Sequence, residues 1–464
     1  MFAPSRVSLY DDLELERLPT MRPNVNLMKA TLTGALGGLL FGFDTVVISG
    51  AIDALVRLYH LSPQGKGWTV AIALIGTVVG SFGAGVVGQK LGGRETLRIT
   101  AVLYVISALG SALAWSWPSL MVFRLIGGLG IGASSVLGPV YIAELSPAKW
   151  RGRLVGAFQF NVVFGILVAY TSNYFIRLAH LGATEWRWQV GVAAIPAFGF
   201  LVLLFGIPRS PRWSASKGRI DEALAVLKLM GEPDPEAELN DIRSALNQEH
   251  ASAHESVFRW KYRYPLFLAI TIGAFNQLAG INAILYYLPS IFASAGFSQV
   301  SGDQQAIAIG FTNLIFTMVG MSVIDKLGRK TLLLIGAAGT AGCLAAVSWL
   351  FATNSHPGAL VWIFVTYIAF FALSQGAVIW VYIGEVFPNH VRSKGQGVGN
   401  ASHWIMNTII ALEFPVLVVS LGRSAPFTFF AAMTLLQFVV VLFVYPETKG
   451  QTLEELHRKL VPAD

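Results

Sequence analysis

Two charged residues sit where charge is expensive. Asp44 interrupts the apolar run GGLLFGFDTVVISGA at 37–51, and Arg124, in VFRLIGG, is the only Lys or Arg deep inside an apolar segment. An acid and a base in such surroundings can hold or release a proton, because desolvation disfavours a charged carboxylate and a nearby cation favours it. A second set of residues is polar but neutral. Asn400, His403, Trp404 and Asn407 recur at i, i+3/4 and i+7, one face of a helix. Asn276, Gln277, Asn282, Tyr286 and Tyr287 gather around Gly280. Amides both donate and accept hydrogen bonds, and aromatic rings offer apolar faces, so the set suits a small ligand rich in hydroxyls. Interhelical packing accounts for one such amide; it accounts poorly for so many on so few segments.

The elements that must carry these residues are long and apolar. Of 464 residues 54% are hydrophobic and 13% charged, with a mean hydropathy of +0.60; a soluble globular chain carries roughly 25% charged residues. Apolar runs recur at 69–88, 99–116, 154–176, 190–207, 331–352, 359–385 and 425–445, with more polar ones at 30–56, 119–143, 265–292, 304–324 and 394–420. Each can cross a hydrocarbon layer about 30 Å thick, which takes roughly 20 helical residues. Barrel strands would alternate in polarity rather than stay apolar throughout. The expected fold is an all-α membrane protein with twelve transmembrane helices, numbered here as spans 1 to 12.

The net charge of +7 is a topological signal and not a nucleic-acid footprint. With the N-terminus inside, 27 of the 33 Lys and Arg fall in inner segments, leaving only Arg57, Lys66, Arg177, Arg187 and Arg423 outside and Arg124 within span 4. That bias predicts both termini on the cytoplasmic side of the cell inner membrane. Residues 1–26 contain Asp11, Asp12, Glu14 and Glu16 and no apolar core, so they read as a cytoplasmic tail and not a signal peptide. The single Cys343 lies inside span 9, where lipid-facing packing is the expected role. No metal site and no cofactor are expected. Asp53, near the outer end of span 1, is expected to be solvated.

The chain repeats itself. QKLGGR at 89–94 matches DKLGRK at 325–330, ELSPAKWR at 144–151 matches EVFPNHVR at 385–392, and PRSPRW from 208 matches PETKG from 446, all at nearly one offset. The expected organisation is a tail (1–26), a six-helix bundle (27–208), cytoplasmic linker helices (209–263), a second six-helix bundle (264–446) and a C-terminal tail (447–464). Doubled bundles with a site at the interface of the repeats are used by secondary transporters. In the linker, Ile220, Ala223, Leu224 and Leu227 form one helical stripe.

These paired loop motifs, with PRSPRW, PETKG, FNQLAGINAILYYLP at 275–289 and the opening run, resemble the sugar porter family of the major facilitator superfamily over about 28–455, most like its bacterial proton-coupled members. The resemblance implies two bundles closing alternately around a central hexose or pentose site. It assigns sugar contacts to Gln159, Gln277, Asn282, Asn313, Trp380 and Asn407, and aromatic wall and gate roles to Phe41, Tyr286 and Tyr287. Four positions depart from the family pattern. Asn276 stands where a glutamine often precedes Gln277, and His403 where an amide is common before Trp404. Ile166 stands where xylose-type symporters can have a glutamine and glucose facilitators an isoleucine, and span 10 lacks the usual proline near Ala377.

By the same resemblance Arg124 lies across from Asp44. Such a pair could exchange a proton for a conformational step, or could be a static salt bridge. Family facilitators commonly have a neutral amide at the Asp44 position, so the acid favours proton symport over facilitative uniport. Glu413, in ALEFP, is a second acid that reads as a rim residue. Arg94, Glu144, Arg151, Arg329, Glu385, Arg392 and Glu447 fall on a cytoplasmic latch. Gln89, Gly93 and Arg209 depart from the usual motif, so the N-terminal half of that latch is expected to be weak. A membrane sugar sensor is a remote alternative, and an enzyme is not expected, since no nucleophile–base set appears. The expected partners are a monosaccharide, protons and the lipid bilayer, with the chain acting as a monomer.

Overall fold

The computed structural model describes residues 24–252, 255–388, 391–451 and 453–461. Most of the N-terminal tail therefore lies outside the described residues. The remainder is helical. Eleven helices are long and apolar enough to cross a membrane: Val25–Tyr59, Pro63–Leu91, Trp117–Leu145, Ala148–Leu178, Gly182–Gly206, Trp260–Ser294, Gln299–Leu327, Arg329–Thr353, Pro357–Glu385, Arg392–Leu421 and Ala425–Val444. A twelfth, Gly93–Ala112, opens with Arg94, Glu95 and Arg98 and is less apolar for that reason. In chain order these are spans 1 to 12.

Local chemistry sets the helix ends. Asn24 caps span 1 by accepting from the Leu27 amide at 2.7 Å, and Ser116 and Ser119 form a reciprocal capping box on span 4. The internal repeat is visible in the backbone. Gly92, between spans 2 and 3, has φ 92° and ψ 155°; Gly328, between spans 8 and 9, has φ 90° and ψ 159°. Two turns 236 residues apart thus share one conformation open only to glycine.

Glycines inside the spans serve a different end. A Cβ on Gly128 would meet the Ala73 carbonyl oxygen at 2.0 Å, and one on Gly42 would meet that of Val162 at 1.9 Å. Spans 2 and 4, and spans 1 and 5, therefore pack backbone to backbone, as small residues permit in a bilayer. Cys343, expected to face lipid, is half-buried against the core.

Three spans are interrupted. Span 6 turns at Val192–Ala193, span 7 breaks at Gly280 (φ 82°), and span 10 breaks at Ser374 (φ −112°, ψ −90°). The break in span 10 forms although no proline stands near Ala377. Across the two halves, span 2 packs on span 11, span 5 on span 8, and span 1 on the second part of span 7, Ile281–Ser294. The linker forms helices Pro211–Ser216, Ile220–Met230 and Pro235–Ser252. Ala223 and Leu227 of the predicted stripe are buried with Ala215 and Leu239, while Ile220 and Leu224 flank them.

Candidate functional site

The break at Gly280 splits span 7 so that Asn276 and Gln277 end one helix and Asn282, Tyr286 and Tyr287 begin the next. Span 11 passes beside it and presents His403, Trp404 and Asn407. The two segments meet through polar contacts. Asn407 Nδ2 donates to the Tyr286 hydroxyl at 3.0 Å, and that hydroxyl lies 3.3 Å from Asn407 Oδ1. Gln277 Nε2 donates to Asn276 Oδ1 at 3.0 Å and also lies 3.3 and 3.4 Å from the two ring nitrogens of His403. A donor in the imidazole plane cannot be nearly equidistant from both nitrogens without colliding with the carbon between them. The amide therefore rests on the ring face, leaving the in-plane donor and acceptor of His403 free of Gln277.

Aromatic rings wall this cluster. His403 lies 5.0 Å from both Trp380 and Trp404, and Phe41, from the other half, packs 5.6 Å from Trp404. Two buried atoms here have no hydrogen-bond partner, Gln277 Oε1 and Trp404 Nε1. An acceptor and a donor left open beside aromatic faces fit a ligand that supplies hydroxyls on one side and C–H faces on the other. Asn313 is buried on span 8 and takes a 3.5 Å contact from Thr317; Gln159 and Asn282 are half-buried, and Ile166 is buried. Tyr287 turns away, donating to the Ala411 carbonyl at 2.9 Å and stacking on Phe414. One residue escaped the sequence reading: Gln375, buried at the span 10 break with neither amide atom partnered. An amide within SQGAVIW was the only signal.

Asp44 is half-buried in span 1 and Arg124 is 4% exposed in span 4. Among the described residues no ion pair joins them, although they lie within electrostatic reach of each other. Arg124 Nε donates instead to the Thr69 carbonyl at 3.1 Å. The pair is thus in a separated arrangement. Glu413 is exposed.

At the end of the molecule bearing the Gly92 and Gly328 turns, the C-terminal half builds a full network. Arg329 pairs with Glu385 at 2.7 Å and Asp325 at 2.9 Å, while Glu447 accepts from the Arg329 and Lys330 amides at 2.9 and 3.1 Å, capping span 9. Arg392 donates to the Phe387 carbonyl at 3.4 Å. In the other half Gly93 occupies the place of Arg329, and Arg209 that of Glu447. Arg94 pairs with its neighbour Glu95 at 2.6 Å, Glu144 is half-buried, and Arg151 reaches Glu238 of the linker at 3.7 Å. Arg209 finds Glu95 at 3.8 Å and Glu222 at 3.5 Å. The acids expected to be missing around it are supplied by span 3 and by a linker helix. Arg209→Glu would set three carboxylates together, so the linker should loosen. Trypsin cleavage at Lys217 and Arg219 is expected to speed up about two- to fivefold, the scale of a lost surface ion pair; an unchanged rate would count against this.

At the opposite end the halves are bonded to each other. Arg177 of span 5 pairs with Asp303 of span 8, and its Nη1 reaches Glu185 at 3.0 Å and Gln299 at 3.2 Å. Asp53, expected to be solvated, pairs with Lys66 at 2.8 Å and accepts from Ser290 at 2.8 Å. The pairing across the halves is not legible in the sequence, because Arg177 and Asp303, and Asp53 and Ser290, are 126 and 237 residues apart.

Comparison with known proteins fits this geometry. The sequence profile described as "Sugar (and other) transporter" matches residues 30–460. The chain belongs to this sugar transporter family. An arabinose-proton symporter of Bacillus subtilis (strain 168) is 35% identical, over 96% of this chain and 99% of that protein. The D-xylose-proton symporter of Escherichia coli (strain K12) is 35% identical, over 93% of this chain and 95% of its own length. The solved structure of the E. coli xylose transporter in a partially occluded inward-open conformation superposes with a TM-score of 0.83 at 33% identity, covering 92% of this chain and all of that one. Like other sugar transporter family members the protein is a multi-pass membrane protein with the major facilitator fold.

Proposed function

We propose that the protein is a secondary transporter that moves a monosaccharide, a hexose such as glucose or a pentose such as xylose, together with a proton by alternating access. The observation that carries the reading is Asp44: a carboxylate at membrane depth, half-buried, facing a buried arginine without pairing to it. A neutral, protonated acid tolerates that separation, whereas an ionised one gains by closing on Arg124. The sugar site is the cluster of Gln277, His403, Trp404, Trp380, Phe41 and Asn407, with Gln159, Ile166, Asn276, Asn282, Tyr286, Tyr287 and Asn313 around it. Gln277 Oε1 and Trp404 Nε1 supply the open acceptor and donor.

In this reading 27–208 and 264–446 are the two moving bundles and 209–263 rides on the inner face. The same reading puts the chain in the cell inner membrane, acting as a monomer; the distribution of Lys and Arg supports placing both termini in the cytoplasm. The Arg329–Glu385–Glu447 network, with Arg94, Glu144, Arg151 and Arg392, belongs to the inner latch. The test is uptake into proteoliposomes from a panel of hexoses and pentoses with and without an inward proton gradient. Accumulation above the external concentration is expected only with the gradient. Uptake that merely equilibrates would assign uniport on the same fold.

A further inference from the structure

The inter-half bonds at the end opposite the latch form two separate ion networks. In the first, the Arg177 guanidinium leaves span 5 and is held by Asp303 and Gln299 of the other half, by Glu185, and by the Gly50 carbonyl at 3.2 Å. Its side chain is 12% exposed and that of Asp303 1%. In the second, Lys66 of span 2 bonds both Asp53 of span 1 at 2.8 Å and Ser290 at 3.2 Å, and Ser290 also donates to Asp53. Ser290 belongs to Ile281–Ser294, the helix that starts at the Gly280 break. The same short helix is tied once more, where the Tyr170 hydroxyl donates to the Leu285 carbonyl at 2.7 Å.

We infer that these two networks are an outer clasp: Arg177–Asp303 grips the start of span 8, and Lys66–Asp53–Ser290 grips the half-helix that can pivot at Gly280, so that together they select the state closed to the outside. The clasp rests on the transport reading only for the direction called outside.

The chemistry makes the clasp two-state. Closed, the Arg177 and Asp303 charges are buried but paired and hydrogen-bonded, and those of Lys66 and Asp53 are partly covered. Fully open, each is hydrated. A partial opening leaves Asp303 and Arg177 separated before water reaches them, and an unpaired buried charge is the costly case. An ion clasp therefore disfavours half-open forms, which an apolar seal of the same area would not. The clasp residues Asp53, Arg177 and Glu185 also line a cavity of about 350 Å³, together with Ser49, Arg57 and Trp186. Ser49 is 1% exposed.

Ser49→Cys in a Cys343→Ser background gives a reporter for opening. Its reaction with a membrane-impermeant maleimide is measured in right-side-out and in inverted vesicles, without sugar. Arg177→Gln and Asp303→Asn should each raise the labelling rate about tenfold in right-side-out vesicles. The double variant should be no faster than the singles, since one interaction is lost once. Ser290→Ala, a milder change, should raise it less. Gel filtration of each detergent-solubilised variant separates opening from unfolding. Unchanged labelling in monodisperse variants, or additive effects of Arg177→Gln and Asp303→Asn, would overturn the clasp. A rise confined to inverted vesicles would support the clasp and overturn the assigned orientation instead.

Discussion

Asp44→Asn is expected to abolish accumulation of monosaccharide while leaving exchange intact. A single symported proton can drive about tenfold accumulation per pH unit, because one unit is worth about 1.4 kcal/mol. The variant should bring that ratio to one. The amide matches the carboxylate in shape but cannot titrate, so it is fixed in a neutral form and leaves Arg124 on the Thr69 carbonyl. Counterflow needs only the sugar site and the swing of the two halves, and the groups forming that site lie on spans 7, 10 and 11 with Phe41. It should persist. The sign of the pH effect follows: wild-type uptake rises as external pH falls, and the variant's uptake should not respond. Loss of counterflow together with accumulation, in a variant that still elutes as a monodisperse species, would mark Asp44 as structural and remove the main support for symport.

Gly67→Val is expected to stop transport by a different route. A Cβ at this position would meet the Leu412 carbonyl oxygen at 2.3 Å, where span 2 of one half closes on span 11 of the other. Backbone cannot yield to that overlap as a flexible side chain can. The outer side should then be wedged open, with exchange and accumulation both falling by more than about tenfold, the scale of shifting a two-state equilibrium by a few kcal/mol. Sugar binding measured in detergent should survive, because Leu412 lies nine residues, about 13 Å, along span 11 from His403. Closure of the outer side in this variant, read by slow maleimide labelling of Ser49→Cys, would refute the packing argument.

The two expectations act on separate steps, and comparing them matters. Asp44→Asn leaves a protein that moves without a proton; Gly67→Val leaves one that binds without moving. A variant of the outer clasp such as Arg177→Gln should lie between them, shifting the balance of states without blocking either.

Much of this was legible in the chain itself. Twelve spans follow from hydropathy, since a helix crossing a bilayer must be apolar over about 20 residues whatever it packs against. Span 3 is the weakest because its first two turns carry Arg94, Glu95 and Arg98. The duplication was legible because both copies need a glycine at one turn, Gly92 and Gly328. The helical period placed His403, Trp404 and Asn407 together, and the anomaly of a carboxylate among apolar residues singled out Asp44.

What tertiary structure alone decided is which charges and amides meet. Asp53 reads as solvated in the sequence; its partner Ser290 is 237 residues away. Arg209 reads as short of acids until span 3 and the linker bring Glu95 and Glu222 to it. Gln277 and His403 are 126 residues apart, and only the rotation of spans 7 and 11 sets the amide on the ring face. Gln375 is visible as an amide, but its burial depends on the break at Ser374. The physical reason is one of range. Apolar runs, helical period and turn conformation are fixed by neighbours in the chain, so residue types specify them. Pairing across the two halves depends on how each helix is turned and on which end of the molecule is closed, and those are properties of the assembled bundle.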